Sequence, residues 1–222
     1  MILARILCLL GGYGFGLIQT SYIYGRMNGI DIREHGSGNA GTTNALRVLG
    51  KKAGIIVFFG DLFKAIIACV IARLIITNIY PDELYLFLAY TGLGVVLGHN
   101  FPFYLKFRGG KGIAATGGVI VGFLDPIMIL SAAVVFFGLC IITRYVSVSS
   151  IVLVISFAVE YIIFALNGRF GFNMDESVSK NAMVESIIII VFLTGMAIFR
   201  HRANIKRLIN HEENKLGSKK SA

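Results

Sequence analysis

Residues 113–142 read IAATGGVIVGFLDPIMILSAAVVFFGLCII, and the way this stretch divides decides the fold. Its one charged residue is Asp125, which with Pro126 cuts it into 113–124 and 126–142. As a helix the first piece would rise only about 18 Å at ~1.5 Å per residue. That falls short of the roughly 20 residues that cross a hydrocarbon core. The stretch is therefore either one long helix kinked at the proline or a hairpin of two short helices.

The rest of the chain supplies the context. Other apolar runs fall at about 2–24, 53–77, 84–104, 146–166 and 184–200. The chain is 56% hydrophobic with a mean hydropathy of +0.76 and is only 15% charged, against about a quarter for a soluble domain. These features predict an all-α integral membrane protein forming one polytopic domain over 1–222. The first run is long for the apolar region of a signal peptide, so it reads as a retained span.

Lysine and arginine placement separates the two readings. A hairpin gives seven transmembrane helices with the N-terminus outside and the C-terminus cytoplasmic. Inside then lie five basic residues in 25–52, three in 105–112, Arg144 and seven from Arg200 onward, 16 altogether, against Arg5, Arg169 and Lys180 outside. Lys64 and Arg73 fall within a span. A single kinked helix would leave 10 inside and 9 outside. Basic residues concentrate in cytoplasmic loops, so the hairpin is preferred. Its first helix is short, and its glycines suit close helix packing. The same rule accounts for the net charge of +9 without nucleic acid. The polar cytoplasmic tail, 203–222, ends in GSKKSA and reads as frayed.

Cys8, Cys69 and Cys140 lie far apart within apolar runs and read as small buried hydrophobes. No metal-ligand spacing, cofactor motif or internal repeat is legible, and no protein partner is implied.

Under this topology four polar clusters share the cytoplasmic face. The first is HGSGNAGTTN at 35–44, flanked by Arg33 and Arg47. Three glycines allow close backbone approach, and Ser37, Asn39, Thr42, Thr43 and Asn44 add donors. Such a loop at a helix end suits an anion, most simply a phosphate. The second is GHNFP at 98–102 followed by GGKG at 109–112, with Lys111 a point charge. The third is RYVSVSS at 144–150, and the fourth is HRANIKR at 201–207, where His201, Asn204 and Arg207 share roughly one helical stripe.

Each cluster also has a plainer reading. The first fits a turn, the second a basic loop, the serines a helix cap, and His201 and its basic neighbours an interfacial helix end meeting anionic headgroups. GGKG lacks the spacing of a nucleotide-binding P-loop. Within the spans, Asp61 and Lys64 stand three apart and read as a structural ion pair. Glu160 has no sequence-local partner, and is neutral, paired across helices or facing a wet cavity.

Taken together, GSGNAGTTN at 36–44 with Arg47, GHNFP with GGKG, and HRANIKR resemble the three signature regions of the bacterial acyl-phosphate-dependent glycerol-3-phosphate acyltransferases. The likeness runs over nearly the whole chain. It implies a seven-helix enzyme of the bacterial cytoplasmic membrane, with its active site facing the cytoplasm. It implies transfer of an acyl group from acyl phosphate, rather than acyl-CoA or acyl carrier protein, to the 1-hydroxyl of glycerol 3-phosphate. Lysophosphatidic acid and phosphate would result, in phospholipid biosynthesis. One departure is that the family often has a Gly-Glu pair after the basic stretch, where His211 and Glu212 stand here.

The resemblance and the clusters assign roles. Ser37, Gly38, Asn39, Gly41, Thr43, Asn44 and Lys111 are expected to hold acyl phosphate. Arg47, Ser147, Ser149, His201, Asn204 and Arg207 are expected to hold glycerol 3-phosphate. His201, Ser37 and Lys111 are the candidate catalytic residues. The favoured route is direct attack, with the departing phosphate taking the proton. A His201 base and a Ser37 nucleophile are the competitors. No metal or other cofactor is expected. The rival function is an organophosphate or anion transporter, which would place binding groups near the midplane or on both faces.

Overall fold

The computed structural model describes residues 1–217. Apart from Gly217, the GSKKSA expectation lies outside the described residues. Nine α-helices and three short 3-10 turns make up the described chain, with no strand among those residues. The helices are α1 (Ile2–Gly16), α2 (Thr20–Met27), α3 (Thr42–Ile76), α4 (Leu84–Asn100), α5 (Ile113–Gly122), α6 (Pro126–Thr143), α7 (Val146–Leu166), α8 (Ser177–Arg200) and α9 (Arg202–Ile209). Six helical stretches are long and apolar enough to cross a membrane, and α5 is a shorter apolar helix.

The stretch at 113–142 is two helices. Asp125 caps α6, its Oδ1 accepting from the backbone N–H groups of Ile127 (2.9 Å) and Met128 (3.1 Å). Pro126 sits in the first turn, where its missing N–H costs nothing. Arg169 Nε donates to the other Asp125 oxygen at 2.6 Å, tying this turn to the end of α7. The short α5 is wedged against α3: a Cβ on Gly118 would stand 2.2 Å from the Leu62 carbonyl oxygen, and one on Gly122 would stand 2.4 Å from Cys69 Cβ.

Helix α4 is the central helix, with 13 of its 17 residues buried. Gly12 and Gly16 on α1 and Gly94 and Gly98 on α4 let the two backbones touch. A Cβ on Gly94 would meet Leu9 O at 2.1 Å, and one on Gly98 would meet Tyr13 O at 2.3 Å. In a bilayer, where apolar burial drives helix association little, such small-residue seams set which helices meet. Helix α6 is the opposite case, with Met128 its one buried residue, and it presents an apolar surface suited to lipid.

Several expected boundaries shift. The run at 2–24 is two helices, because buried Gln19 breaks it and donates to the carbonyls of Gly98 (3.3 Å) and His99 (3.0 Å). Helix α3 begins at Thr42 rather than 53. Gly50, with φ 85° and ψ −176°, interrupts it and separates an extra pair of turns from the spanning part. Helix α4 ends at Asn100 rather than 104. Helix α8 begins at Ser177 rather than 184, because polar residues fill its first turns without breaking it. The polar tail carries α9, which holds Asn204 and Arg207 of the expected helical stripe, with His201 just before it. Glu160 finds its partner across helices, accepting from Ser131 Oγ on α6 at 2.5 Å.

Candidate active site

One cavity of about 800 Å³ gathers the four clusters. Ser37, Asn39, Gly41, Thr43, Asn44, Arg47, Lys111, Ser147, His201, Asn204 and Arg207 line it. Gly38 and Ser149 are not among its lining residues. Ser149 is fully buried, and its hydroxyl donates to Tyr145 O at 3.2 Å. Ser150 lines the cavity in its place.

The 36–44 loop is held by Asn44. Its Oδ1 accepts from the Ser37 N–H (2.8 Å) and Ser37 Oγ (3.1 Å), while its Nδ2 donates to Ile32 O (3.1 Å) and His35 O (3.0 Å). This amide is therefore spent on shaping the loop. Gly36 is required here, with φ +62° and only 2.3 Å between a Cβ and Asn44 Oδ1. Gly41 then caps α3, leaving the first N–H groups of that helix at the cavity, where the dipole favours an anion. Ser37 Oγ bonds a neutral amide, and no base activates it.

Opposite stands a chain of polar groups. Lys111 Nζ donates to Asn204 Oδ1. Asn204 Nδ2 donates to Glu213 Oε1 at 2.8 Å, which also accepts from Ser147 Oγ at 3.2 Å. Arg207 Nε donates to Glu213 Oε2 at 2.7 Å. Burial, reinforced by Arg207, Arg200 and Arg47, pulls the Lys111 ammonium down to about 8 against a weaker opposing pull from Glu213. Arg47 is exposed at the rim, with no hydrogen-bond or ion-pair partner among the described residues.

His201, 3% exposed, joins α8 to α9. Its Nδ1 lies 2.8 Å from Ala197 O. A carbonyl only accepts, so Nδ1 carries the proton and Nε2 is left as an acceptor. Burial is the main force pulling the imidazole down to about 4. It therefore suits receiving a hydrogen bond from a hydroxyl far better than removing its proton.

Glu213 is the residue that sequence reading missed. The departure at His211 hid it, although His211 adopts φ +59°, the left-handed conformation glycine favours after a helix. The turn it makes carries Glu213 back onto the cavity wall. Beyond it Leu216 is fastened to Arg144, N–H to carbonyl at 2.7 Å and Arg144 Nη2 to Leu216 O at 3.1 Å. His99 and Asp61 also line the cavity.

The cavity runs into a largely apolar groove, the two sharing Thr42, Thr43, Leu46, Phe58, Phe136, Val146 and Leu216, with Phe137, Cys140, Ile141 and Arg144 lining the groove beyond. The groove lies between α3 and the exposed helix α6. No group of three or more His, Cys, Asp or Glu side chains is placed to hold a metal among the described residues.

A multi-pass membrane protein with a donor-rich cationic cavity opening into an apolar groove belongs to the class that handles amphiphiles bearing anionic groups. Comparison with known proteins narrows this. The sequence profile described as glycerol-3-phosphate acyltransferase matches residues 6–211. The glycerol-3-phosphate acyltransferases of Bacillus cytotoxicus and Halalkalibacterium halodurans are 42% and 38% identical to this chain. The matches cover 94% of this chain and 93% of the first relative, and 96% of both chains for the second. The crystal structure of PlsY (YgiH), an integral membrane glycerol 3-phosphate acyltransferase, in its glycerol 3-phosphate form matches with a TM-score of 0.78 at 32% identity, covering 96% of each chain. Its lysophosphatidic acid form matches with a TM-score of 0.76, also at 32% identity, covering 96% of this chain and 95% of that one. The chain belongs to the glycerol-3-phosphate acyltransferase family and is an integral membrane acyltransferase.

Proposed function

We propose that this enzyme transfers an acyl group from acyl phosphate to the 1-hydroxyl of glycerol 3-phosphate, releasing lysophosphatidic acid and inorganic phosphate. The observation that carries this reading is the continuity of a cationic cavity with an apolar groove beside an exposed helix. A donor with a phosphate at one end and a chain at the other fits that shape. The relative solved with glycerol 3-phosphate and with lysophosphatidic acid supports the acceptor.

The N-terminus of α3, Ser37 and Lys111 would hold the acyl phosphate, with its chain in the groove. Arg47, Ser147, Asn204 and Arg207 would hold the acceptor phosphate. The acceptor oxygen attacks the carbonyl carbon, and the tetrahedral intermediate collapses by breaking the bond to the phosphate oxygen. The hydroxyl proton goes to the departing phosphate. The phosphate oxygen freed by that bond cleavage is far more basic than an imidazole near 4, so the proton ends on the hydrogen-phosphate dianion. His201 Nε2 then orients the hydroxyl.

The cavity would face the cytoplasm. Basic residues cluster at its end of the bundle, whereas Arg5 and Arg169 at the other end are paired with Glu185 and Asp125, each at 2.6 Å. The host membrane would be the bacterial cytoplasmic membrane. Membership of an acyltransferase family sets aside the transporter reading.

The test offers purified enzyme labelled glycerol 3-phosphate with either palmitoyl phosphate or palmitoyl-CoA. Lysophosphatidic acid from the phosphate alone is the expected result. Product from the thioester alone would overturn the donor assignment.

A further inference from the structure

We propose that His99 is a positioning residue for the transfer, acting through the loop that carries Lys111. This rests on Lys111 being an anion-binding group of the proposed reaction.

Asp61 and Lys64, 1% and 4% exposed, lie one turn apart on α3, and His99, 3% exposed, lies near the end of α4. Lys64 Nζ donates to Ile18 O at 2.6 Å and to Asp61 Oδ1 at 2.8 Å, and it stands 2.9 Å from His99 Nδ1. Thr20 Oγ1 also donates to Asp61 Oδ1, at 3.2 Å. Gly16 O lies farther from Lys64 Nζ, at 3.5 Å. An ammonium has only donors, so at 2.9 Å it makes His99 Nδ1 the acceptor. The ring proton is thereby fixed on Nε2. A buried Asp61 and Lys64 pair alone needs no histidine. The Lys64 contact is what locks the imidazole.

The far edge of that ring meets the loop. A Cβ on Gly110 would stand 2.1 Å from His99 Nε2 and 2.8 Å from Ala40 O. The imidazole thus lies where the 36–41 and 109–112 loops come together. The Gly110 N–H donates to His99 O at 3.1 Å, and Arg200 Nη2 grips the carbonyls of Gly109 (3.1 Å) and Gly110 (2.6 Å). The loop is held between a guanidinium and a ring of fixed orientation, and Lys111 is its next residue. Removing the imidazole opens space beneath Gly110 and lets Lys111 sink away from Asn204.

The test is a double-mutant cycle of H99A with K111Q, read as kcat/KM for both substrates and as a pH profile. Misplacing a binding group by about 1 Å costs on the order of 100-fold, so H99A should lose 10- to 100-fold alone and less than about threefold in the K111Q background. H99A should also displace the alkaline limb of the pH profile, which loss of fold stability alone would not move. G110A pushes on the same ring edge from the loop side and should displace that limb too, which keeps the test alive if H99A does not fold. Additive losses with an unmoved limb would overturn the proposal while leaving the reaction intact. K111Q with undiminished activity would overturn both the proposal and the assignment of Lys111. A wild-type enzyme making no product from palmitoyl phosphate, yet showing these couplings with another donor, would overturn the donor alone.

Discussion

Lys111 gives the sharpest prediction about charge in the site. Its ammonium is held at about 8, chiefly by burial and by neighbouring arginines. An anion site that needs the charged form works below that value and fails as pH rises through it. The charged fraction falls from about 0.9 at pH 7 to about 0.1 at pH 9, so kcat/KM should drop roughly tenfold over that interval. The phosphates of both substrates are already dianionic above pH 7, so they add no limb there. Arginine stays charged throughout, and K111R should keep a flat profile to pH 9 whatever its absolute rate. The assay is initial rate against subsaturating acyl phosphate at saturating glycerol 3-phosphate in mixed micelles, corrected for spontaneous hydrolysis of the acyl phosphate. A wild-type profile flat to pH 9, or a K111R profile that still falls tenfold, would refute the claim that the Lys111 charge holds substrate.

Other expectations follow from single contacts. H201Q should raise KM for glycerol 3-phosphate without removing any limb of the pH profile, as the proposed role of the imidazole in orienting the hydroxyl requires. A loss confined to kcat, with an altered pH profile, would instead make His201 the base. G98A should lower Tm and the yield of monodisperse protein in detergent, since its Cβ would stand 2.3 Å from the Tyr13 carbonyl on a rigid backbone and overpacking costs about 1–3 kcal/mol. Unchanged thermal stability would refute that seam. F136A should change relative rates on octanoyl and palmitoyl phosphate, because Phe136 lines both the cavity and the groove. An unchanged ratio would move the acyl chain elsewhere.

Much of this was legible in the sequence for physical reasons. Apolar length and the Asp125 and Pro126 pair mark the break, and lysine and arginine placement favours two helices over one kinked helix. The donor-rich loops announced themselves through glycine and amide content. The GxxxG spacings of Gly12 with Gly16 and Gly94 with Gly98 were equally visible, but nothing local says which helix a glycine seam will meet. What was not legible depended on tertiary partners. Asn44 looks like a ligand donor until its amide is seen bridging Ser37 to Ile32 and His35. Ser149 differs from Ser147 only in which face of α7 it occupies. Glu213 reaches the cavity only because His211 turns the chain, and His99 gains meaning only from Lys64 on another helix.

In the proposed reaction the acyl group passes directly between two substrates held side by side in one cavity. Rapid-quench single turnover with carbonyl-labelled palmitoyl phosphate and saturating glycerol 3-phosphate tests it most directly. Label should pass straight to lysophosphatidic acid, with one equivalent of phosphate released and none of the label on the protein. Label appearing first on Ser37, or phosphate released in a burst before lysophosphatidic acid forms, would contradict it.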